Sequence, residues 1–559
     1  MRALAYSSSA ALIRPVLCFW AGVLLLASVI SAQANTQADT VDGGALLKEV
    51  QKEEPAAPGL EQPAIEKPAT DAPDGALTLE VERYEFAGNT LIGDPELEKL
   101  AAPYTNRELS LAQINRMLGE ISDLYQDRGY LSRIYLPEQD IRDGVVRVEI
   151  VEARFGEVRF EGDTEASAID PQRLERMLAV GQTSDEVLRL RSLERAALLA
   201  NEYPSMQSRV VLSAGEQVGF TDIVVASEAT RPYSATLIAD NHGSESTGEL
   251  RLTALGQIGN LLGQGERLQI NGLLSDGNRY GAFNFEIPVG VHGLKVGLSA
   301  SLLEYELTDG PAAILDAEGD ARSADLNLAY PIIRNSKSRL DIRARLGRRD
   351  YTNDRLRIEF SDKSVDAFKL ELRGRRADNL LGGGQFYYGL DFTFGDLELS
   401  GILIDPKTAG TYENYGWNIG RLQRLNDKTF VNFSLEGQFN TKDLDSSETF
   451  VLGGPDSVRA YPVLEASGDE GWLAKVELRR RLSDDFTLLG FYDHGRVSSH
   501  DTAARDGSLK GFGAGLEWRG PSGIFANLLA AAPVGDNPFE AETGTDDDLL
   551  GWFRIGKTF

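Results

Sequence analysis

The strongest constraint on the fold is a long stretch of alternating polar and apolar residues that begins after Arg231 and continues to the C-terminus. The segment NFSLEGQFN, residues 432–440, shows the pattern, with Asn, Ser, Glu and Gln alternating with Phe and Leu. A period of two predicts β-strands with one polar and one apolar face. We count sixteen such segments, near positions 233, 249, 266, 279, 294, 322, 338, 366, 384, 412, 428, 471, 486, 510, 523 and 549.

The connections between these segments alternate in length. Short ones such as NLLGQG and RNSKS alternate with longer polar ones, predicted near 305–321, 349–365, 395–411, 441–470 and 532–548. This alternation is typical of a transmembrane β-barrel, whose apolar face meets lipid and whose polar face lines the lumen. The alternative is a soluble all-β barrel or solenoid, which would not need that pairing of turns and loops. The pattern predicts a transmembrane barrel of 16 antiparallel strands over residues 230–559.

The last nine residues, GWFRIGKTF, also match the Gly-x-x-x-x-Gly-Lys-Thr pattern of phosphate-binding loops. That loop needs a helix after its Lys-Thr pair to hold the phosphates. Only Phe559 follows Thr558, so we predict the sixteenth strand instead. The formal net charge of −28 likewise argues against a nucleic-acid-binding protein.

The N-terminal 34 residues have the features of a secretory signal peptide. Arg2 and Arg14 precede an apolar run over 16–30, which is followed by the small-x-small sequence Ala-Gln-Ala at 32–34. The alternative is an uncleaved membrane anchor, but the run is shorter than the ~20 residues that a spanning helix needs. The only cysteine, Cys18, lies inside this signal, and a large exported chain without thiols fits a bacterial cell envelope.

The region before the barrel divides into four parts. Residues 35–54 include GALLKEVQKEE and predict a short amphipathic helix, with a disordered acidic tail as the alternative. Residues 55–76 are rich in Pro, Ala and acidic residues and predict a linker. Residues 77–153 and 154–229 repeat the order strand, helix, helix, strand, strand. Such modules have open sheet edges that could take up an extended peptide, or they could be simple spacers.

The sequence gives little support for catalysis. The histidines are His242, His292, His494 and His500, and neither a Gly-x-Ser-x-Gly motif nor a mature-chain cysteine accompanies them. We therefore expect no enzyme activity, no metal site and no cofactor.

Two short stretches carry the candidate functional residues. The first, LGGPDSVRAYP in the longest loop, contains Val458, Arg459, Ala460 and Tyr461; the second, GFYDHGRV in the thirteenth strand, contains Phe491, Asp493 and Gly495. Strand alternation directs Asp493 into the lumen, and an arginine on an inward-folded loop could pair with it. From the residues alone, two unrelated solvated charges are an equally good interpretation.

The whole arrangement resembles the transporter component of two-partner secretion, the haemolysin secretion/activation family within the outer-membrane assembly superfamily. The most specific similarities are VRAY for the family's Val-Arg-Gly-Tyr, FYDHG for its Phe-x-Asp-x-Gly, and DNHGSESTGELRLTALGQIGNLLGQGERL at the start of the barrel. Phe559 resembles the C-terminal aromatic by which outer-membrane barrels are recognised for assembly. Ala460 departs from the motif glycine, and it would cost about 1 kcal/mol or more if that position needs a positive φ.

The resemblance implies a location and a function. The two modules would be periplasmic POTRA domains that dock the substrate, residues 44–54 would plug the pore, and Arg459 would meet Asp493 in the lumen. The protein would accept an unfolded haemolysin-like or adhesin-like exoprotein and secrete it across the outer membrane without ATP. Its other partners would be outer-membrane lipid, periplasmic chaperones and the barrel assembly machinery. The alternatives are a barrel assembly factor and a passive porin or receptor.

Overall fold

A computed structural model of the protein describes residues 41–51, 65–66, 78–141, 143–161, 170–182, 186–204, 206–217, 219–401, 407–500, 506–539 and 548–559. The predicted signal peptide lies outside these residues, as does most of the predicted linker. Within the described ranges, no helix is long and apolar enough to cross a membrane.

The first elements in the described part of the chain are helix α1 (Gly43–Gln51) and a two-residue strand, β1 (Ile65–Glu66). The first α+β module follows, with a three-stranded sheet in the order β3-β6-β5 and a separate β2-β4 pair. Its elements are β2 (Thr78–Val81), β3 (Arg83–Ala87), α2 (Asp94–Ala101), β4 (Arg107–Ser110), α3 (Leu111–Asp127), β5 (Ser132–Tyr135) and β6 (Val145–Glu152).

Helix α3 shows why this module folds locally as it does. Ser110 and Gln113 form a reciprocal capping box at its N-terminus, which satisfies backbone N–H groups that the helix leaves unpaired. Its buried residues recur every three or four positions and pack on the sheet, and they are Ile114, Met117, Leu118, Ile121 and Tyr125.

The second module has its own core and a sheet in the order β1-β8-β9-β7. Strand β1 joins this sheet by pairing in parallel with β8. The remaining elements are β7 (Arg154–Glu161), α4 (Pro171–Leu178), α5 (Leu190–Ala200), β8 (Met206–Ala214) and β9 (Phe220–Ala229).

A closed antiparallel barrel of 16 strands completes the chain, which confirms the predicted fold class. Residues 236–240 of the first strand pair with residues 554–558 of the last and close it. A small hairpin, β21 (Phe450–Leu452) and β22 (Ala466–Gly468), lies outside the barrel order. The barrel strands are β10 (Tyr233–Asp240), β11 (Arg251–Gly259), β12 (Arg267–Leu274), β13 (Asn278–Val289), β14 (Leu294–Glu306), β15 (Glu318–Arg334), β16 (Ser338–Arg355), β17 (Ile358–Asp378), β18 (Gly384–Gly401), β19 (Gly410–Asn426), β20 (Thr429–Asn440), β23 (Glu470–Arg481), β24 (Phe486–Ser498), β25 (Gly507–Arg519), β26 (Ile524–Pro533) and β27 (Leu550–Thr558).

One predicted long loop, 349–365, is wrong. Strands β16 and β17 continue through this stretch and meet in a two-residue turn, Leu356-Arg357, with φ values of 51° and 62°. Two consecutive positive φ values are typical of a tight hairpin turn whose twist matches that of its strands. The outward residues change from apolar, as at Leu346 and Phe368, to charged, as at Arg348 and Asp366, so the amphipathic signal ends before the strands do.

Candidate functional site

The longest loop, residues 441–469, folds into the barrel; we call it the lid loop. Its β21–β22 hairpin carries a tip that packs on the inner wall of the barrel. Because both surfaces of this contact are apolar, their packing holds the tip in one position against the wall. The packed residues are Leu452, Val458, Ala460 and Tyr461 of the loop and Leu473, Leu489, Phe491, Leu509 and Ala531 of the wall.

The structure brings Arg459 and Asp493 together where the loop tip contacts the wall. The Arg459 Nε and Nη2 atoms donate to Asp493 Oδ2 and Oδ1, both at 2.8 Å, and the Arg459 backbone N–H donates to Oδ2 at 3.2 Å. The Asp493 side chain is fully buried, with 0% exposed. A buried bidentate pair of this kind is geometrically specific, and removing one partner typically costs about 3–5 kcal/mol because the other charge stays buried.

Three further groups hold Arg459, and the sequence did not single out two of them. Glu477 Oε2 accepts from Arg459 Nη1 at 2.6 Å, and the guanidinium lies 3.5 Å from the centre of the Phe491 ring. Trp552 of β27 donates from Nε1 to the Arg459 carbonyl at 2.8 Å. For Glu477 and Trp552, the sequence signal that could have identified them is strand alternation, which places both side chains on the inward face of their strands. Burial alone would lower the pKa of Arg459, but the hydrogen bonds and charges of Asp493 and Glu477 raise it.

Steric contacts explain why one motif position, Gly495, is glycine and why another, Ala460, can be alanine. A Cβ at Gly495 would lie 2.5 Å from Leu452 Cδ2, so this glycine leaves room for the lid loop. Ala460 does not take a positive φ, so the cost expected for alanine in such a backbone does not arise. Its methyl group instead faces Gly511, where a Cβ would come within 2.3 Å of Ala460 Cβ.

Helix α1 lies inside the barrel, beside the lid loop. Asp42 Oδ1 accepts from the backbone N–H groups of Gly44 and Ala45 at 3.0 and 3.1 Å and so caps the helix. Leu46 and Leu47 are buried in a cluster formed by the barrel wall and the lid loop. Residues 44–51 of the segment expected to plug the pore therefore lie in the lumen, and residues 52–54 fall outside the described residues.

Two ion-pair groups anchor α1 to the wall of the barrel. Near its N-terminus, Lys363 Nζ lies 2.5 Å from Asp42 Oδ2 and 2.7 Å from Asp445 Oδ2 of the lid loop. Near its C-terminus, Glu49 Oε1 lies 2.8 Å from Arg251 Nη1. Lys363 is therefore shared by the helix and the lid loop.

The second α+β module docks on the end of the barrel that carries the short turns. Arg173 donates to the carbonyl groups of Gln264, Pro288 and Gly290 at 3.1, 2.7 and 3.0 Å. Glu202 lies 2.9 Å from Arg334 Nε and 3.3 Å from Lys295 Nζ. These contacts fix which end of the lumen faces the modules.

The remaining predicted site residue, Phe559, follows the last strand. Its backbone N–H donates to the Ala235 carbonyl at 2.8 Å, and its ring is 54% exposed with Lys557 Nζ 4.6 Å from the ring centre. Among the residues that the structure describes, no group of three or more His, Cys, Asp or Glu side chains is arranged to hold a metal ion.

A closed barrel that holds a helix and a loop in its lumen, with two POTRA-like modules on its short-turn end, is the architecture of an outer-membrane transporter. Residues 219–518 match the family model described as "Haemolysin secretion/activation protein ShlB/FhaC/HecB", and residues 79–153 match "POTRA domain, ShlB-type". The chain belongs to this haemolysin secretion/activation family, which confirms the resemblance. It is thus a two-partner secretion transporter of the outer membrane, with periplasmic POTRA domains and a secreted partner protein, in a family of transporters rather than enzymes.

The individual similarities agree with this assignment. The heme/hemopexin transporter protein HuxB of Haemophilus influenzae strain 86-028NP is 26% identical over 486 residues, covering 83% of this chain and 84% of HuxB. The outer membrane transporter CdiB of Dickeya dadantii strain 3937 is 27% identical, covering 74% of this chain and 75% of CdiB. The solved structure of CdiB from Escherichia coli has the same fold, with a TM-score of 0.68, 21% identity, and coverage of 95% of this chain and 98% of CdiB.

Proposed function

We propose that this transporter accepts one unfolded haemolysin-like or adhesin-like exoprotein in the periplasm and passes it outward through the barrel without ATP. The observation that carries the proposal is that α1 and the lid loop lie in the lumen and are held there by side-chain contacts to its wall. Both elements are therefore gates that an incoming polypeptide can displace. We assign the plug to α1, the docking region to residues 77–229 and the translocation path to residues 230–559.

Energy for export would come from folding of the exoprotein outside the cell. The one sequence pattern that suggests a nucleotide site lies in β27, where Gly556 and Lys557 pair with both neighbouring strands and Thr558 pairs with Thr236 of β10. This geometry supports an ATP-independent mechanism, because a phosphate-binding loop needs a following helix.

Substrate docking would use strand addition to a POTRA sheet. The second module supports this, since the two-residue strand Ile65–Glu66 already adds to its sheet by pairing in parallel with Val210 and Val211 of β8. Main-chain hydrogen bonds at a sheet edge give affinity for an extended peptide with little demand on its sequence.

Biogenesis of the transporter itself would involve the partners that act on other outer-membrane barrels. We propose that periplasmic chaperones deliver the chain and that the barrel assembly machinery recognises Phe559. The exposure of this aromatic ring, 54%, supports a role in recognition rather than in the barrel core.

The decisive experiment compares cells with and without this chain by quantifying proteins in the culture medium and in the outer membrane. We expect one large protein to vanish from the medium while the other outer-membrane barrels stay constant. A parallel loss of many barrels would identify an assembly factor instead, and unchanged medium and membrane would point to a passive porin or receptor.

A further inference from the structure

The inner faces of β16 and β17 carry many positively charged side chains. Residues directly opposite each other in an antiparallel pair lie on the same face, and here Arg343 faces Glu371, Arg345 faces Lys369 and Tyr351 faces Lys363. Lys363 contacts the plug helix, so this is the luminal face, whereas Leu346 on the opposite face is 59% exposed. Over 339–349 and 363–375 this face presents eight cations and two carboxylates, namely Arg339, Arg343, Arg345, Arg349, Lys363, Lys369, Arg373 and Arg375 with Asp341 and Glu371. We call the eight cations the cationic track.

Composition does not explain the track, because the chain as a whole has a formal net charge of −28. A row of like charges along two adjacent strands also costs stability through repulsion. Such a row in a water-filled lumen with low-dielectric walls focuses a positive potential on whatever passes through.

The outer end of the track already binds carboxylates of the chain's own polypeptide. Lys363 holds Asp42 of the plug and Asp445 of the lid loop. Arg349 Nη1 lies 3.5 Å from Glu448 Oε1, which is also in the lid loop. Both gating elements are thus attached to the same cationic wall by acidic side chains.

The inner end of the track meets the second POTRA module in the same way. Arg339 Nη1 lies 3.6 Å from Glu202 Oε1 of that module, and Arg339 Nε lies 2.5 Å from Asp341 Oδ2. The track therefore starts at the surface where the module docks and ends at the plug and the lid loop.

The middle of the track is less fully neutralised. Lys369 Nζ lies 3.3 Å from Glu371, and Arg373 pairs with Asp391 of β18 at 2.7 Å. Arg345 Nε donates to the neutral amide oxygen of Asn327 at 3.2 Å, and Arg343 is exposed. Positive charge is therefore left to face the lumen between the two occupied ends.

We infer that the cationic track binds carboxylate side chains of the polypeptide in transit, and that Asp42, Asp445, Glu448 and Glu202 occupy its two ends at rest. The inference rests on the proposed function, since the polypeptide is the secreted partner. Solvent-exposed ion pairs are individually weak, so acidic residues of an unfolded chain can exchange from one cation to the next without being trapped. An acidic segment reaching the outer end would compete with the plug and the lid loop for Lys363 and Arg349.

The test is a fluorescence-anisotropy titration of the purified full-length transporter with a labelled 20-residue glutamate–serine peptide, using glutamine–serine and lysine–serine peptides for comparison. The double variant Arg343→Gln/Lys369→Gln removes two track cations. Its matched control, Arg322→Gln/Arg348→Gln, removes two arginines from the outer surface, where their side chains are 69% and 52% exposed. Heat-modifiable gel mobility of all three proteins verifies that the barrels are folded.

We expect the glutamate–serine peptide to bind more tightly than the other two, with an affinity that falls as salt rises. The inner double variant should bind it about fivefold or more weakly, because each lost ion pair is worth roughly a two- to fivefold change in affinity. The outer control should bind like the wild type. Equal binding of acidic and neutral peptides, or equal losses in the two double variants, would overturn the inference.

Secretion by cells separates this inference from the proposed function. If the wild type exports its partner and the inner double variant exports it equally fast, the track is not used in transit, although the transporter assignment stands. If the wild type exports nothing, the proposed function fails, while the peptide titration still decides whether the track binds carboxylates.

Discussion

Arg459 makes its contacts with residues from three different barrel strands, and this distribution explains its role at the scale of a single residue. Asp493 and Phe491 belong to β24, Glu477 to β23, and Trp552 to β27. A side chain with partners on three strands holds the loop in the lumen more firmly than a single ion pair at the rim of the barrel would. Such a network responds as a unit, because each partner fixes the position of the others.

We predict that Arg459→Ala and Asp493→Ala each lower secretion of the partner protein strongly while the barrel still inserts. Each variant leaves a buried charge without its bidentate partner, at a typical cost of about 3–5 kcal/mol. The double variant should lose little more than either single variant, since both remove the same interaction. Partner protein in the medium and heat-modifiable mobility of the barrel give the two readouts.

The control for this pair is Arg421→Ala, which breaks the bidentate contact of Arg421 with Asp378 at the other end of the barrel. That contact does not touch the lid loop and should leave secretion near the wild-type rate. Full secretion by both lid variants would remove the functional claim for Arg459 and Asp493.

A second prediction concerns Trp552, whose indole N–H is the link between the lid loop and the last strand. Trp552→Phe keeps a ring in place but leaves the buried Arg459 carbonyl without this donor, which costs about 1–3 kcal/mol. We expect faster hydrogen exchange in residues 453–465 of the lid loop. Trp472→Phe, on β23, is the matched control, because the ring contact of Trp472 is with His494 and not with the loop. Unchanged exchange in Trp552→Phe would show that the indole does not hold the loop.

At the scale of the element, Lys363 joins helix α1 to the lid loop. We predict that Lys363→Gln raises the conductance of the purified transporter in planar bilayers and sensitises cells to large antibiotics. The reason is that Asp42 and Asp445 then face each other without the cation between them, so α1 loses its N-terminal anchor. Lys442→Gln is the control, since Lys442 binds the carbonyls of Ala409 and Thr411 rather than a carboxylate. A closed pore in Lys363→Gln would show that the apolar contacts of Leu46 and Leu47 suffice.

The contacts of Lys363 could not be predicted from the sequence. Alternation predicted strands such as β20 and β24 because lipid on one side and water on the other impose a period of two. Lys363 fell in a stretch predicted as a loop, since the outward residues Asp366, Ser364 and Asp362 lie beyond the apolar band and no longer mark a lipid-facing side. Its contacts with Asp42 and Asp445 therefore could not be anticipated.

Glu477 and Trp552 were missed for another reason. The path of the 29-residue lid loop, 441–469, decides which inward residues it contacts, and no local sequence pattern encodes that path.

At the scale of the whole molecule, the POTRA modules and the barrel are coupled by charges at their junction. Glu202 of the second module faces Arg334, Lys295 and Arg339 of the barrel. Burial alone would raise the pKa of Glu202, but these three cations lower it below the usual range. The ionised carboxylate is therefore the form that holds the module in its docked position.

The lowered pKa of Glu202 predicts that docking of the second module weakens as the pH falls. A carboxyl group whose pKa is lower when docked than when free stabilises docking above its free pKa, and loses that contribution as pH falls through the docked value. Docking should thus be constant from neutral pH down to the ordinary glutamate range, about 4, and weaken in more acidic solution. The protection factor of α5, which is the hydrogen-exchange rate corrected for the intrinsic effect of pH, measures docking in the purified transporter. Glu202→Gln should lower this protection at neutral pH and remove most of its pH dependence. Glu175→Gln, on the exposed face of α4, should behave like the wild type. If Glu202→Gln and the wild type exchange alike at every pH, the module is held by the backbone contacts of Arg173 instead, and the inner end of the lumen is fixed by shape rather than by charge.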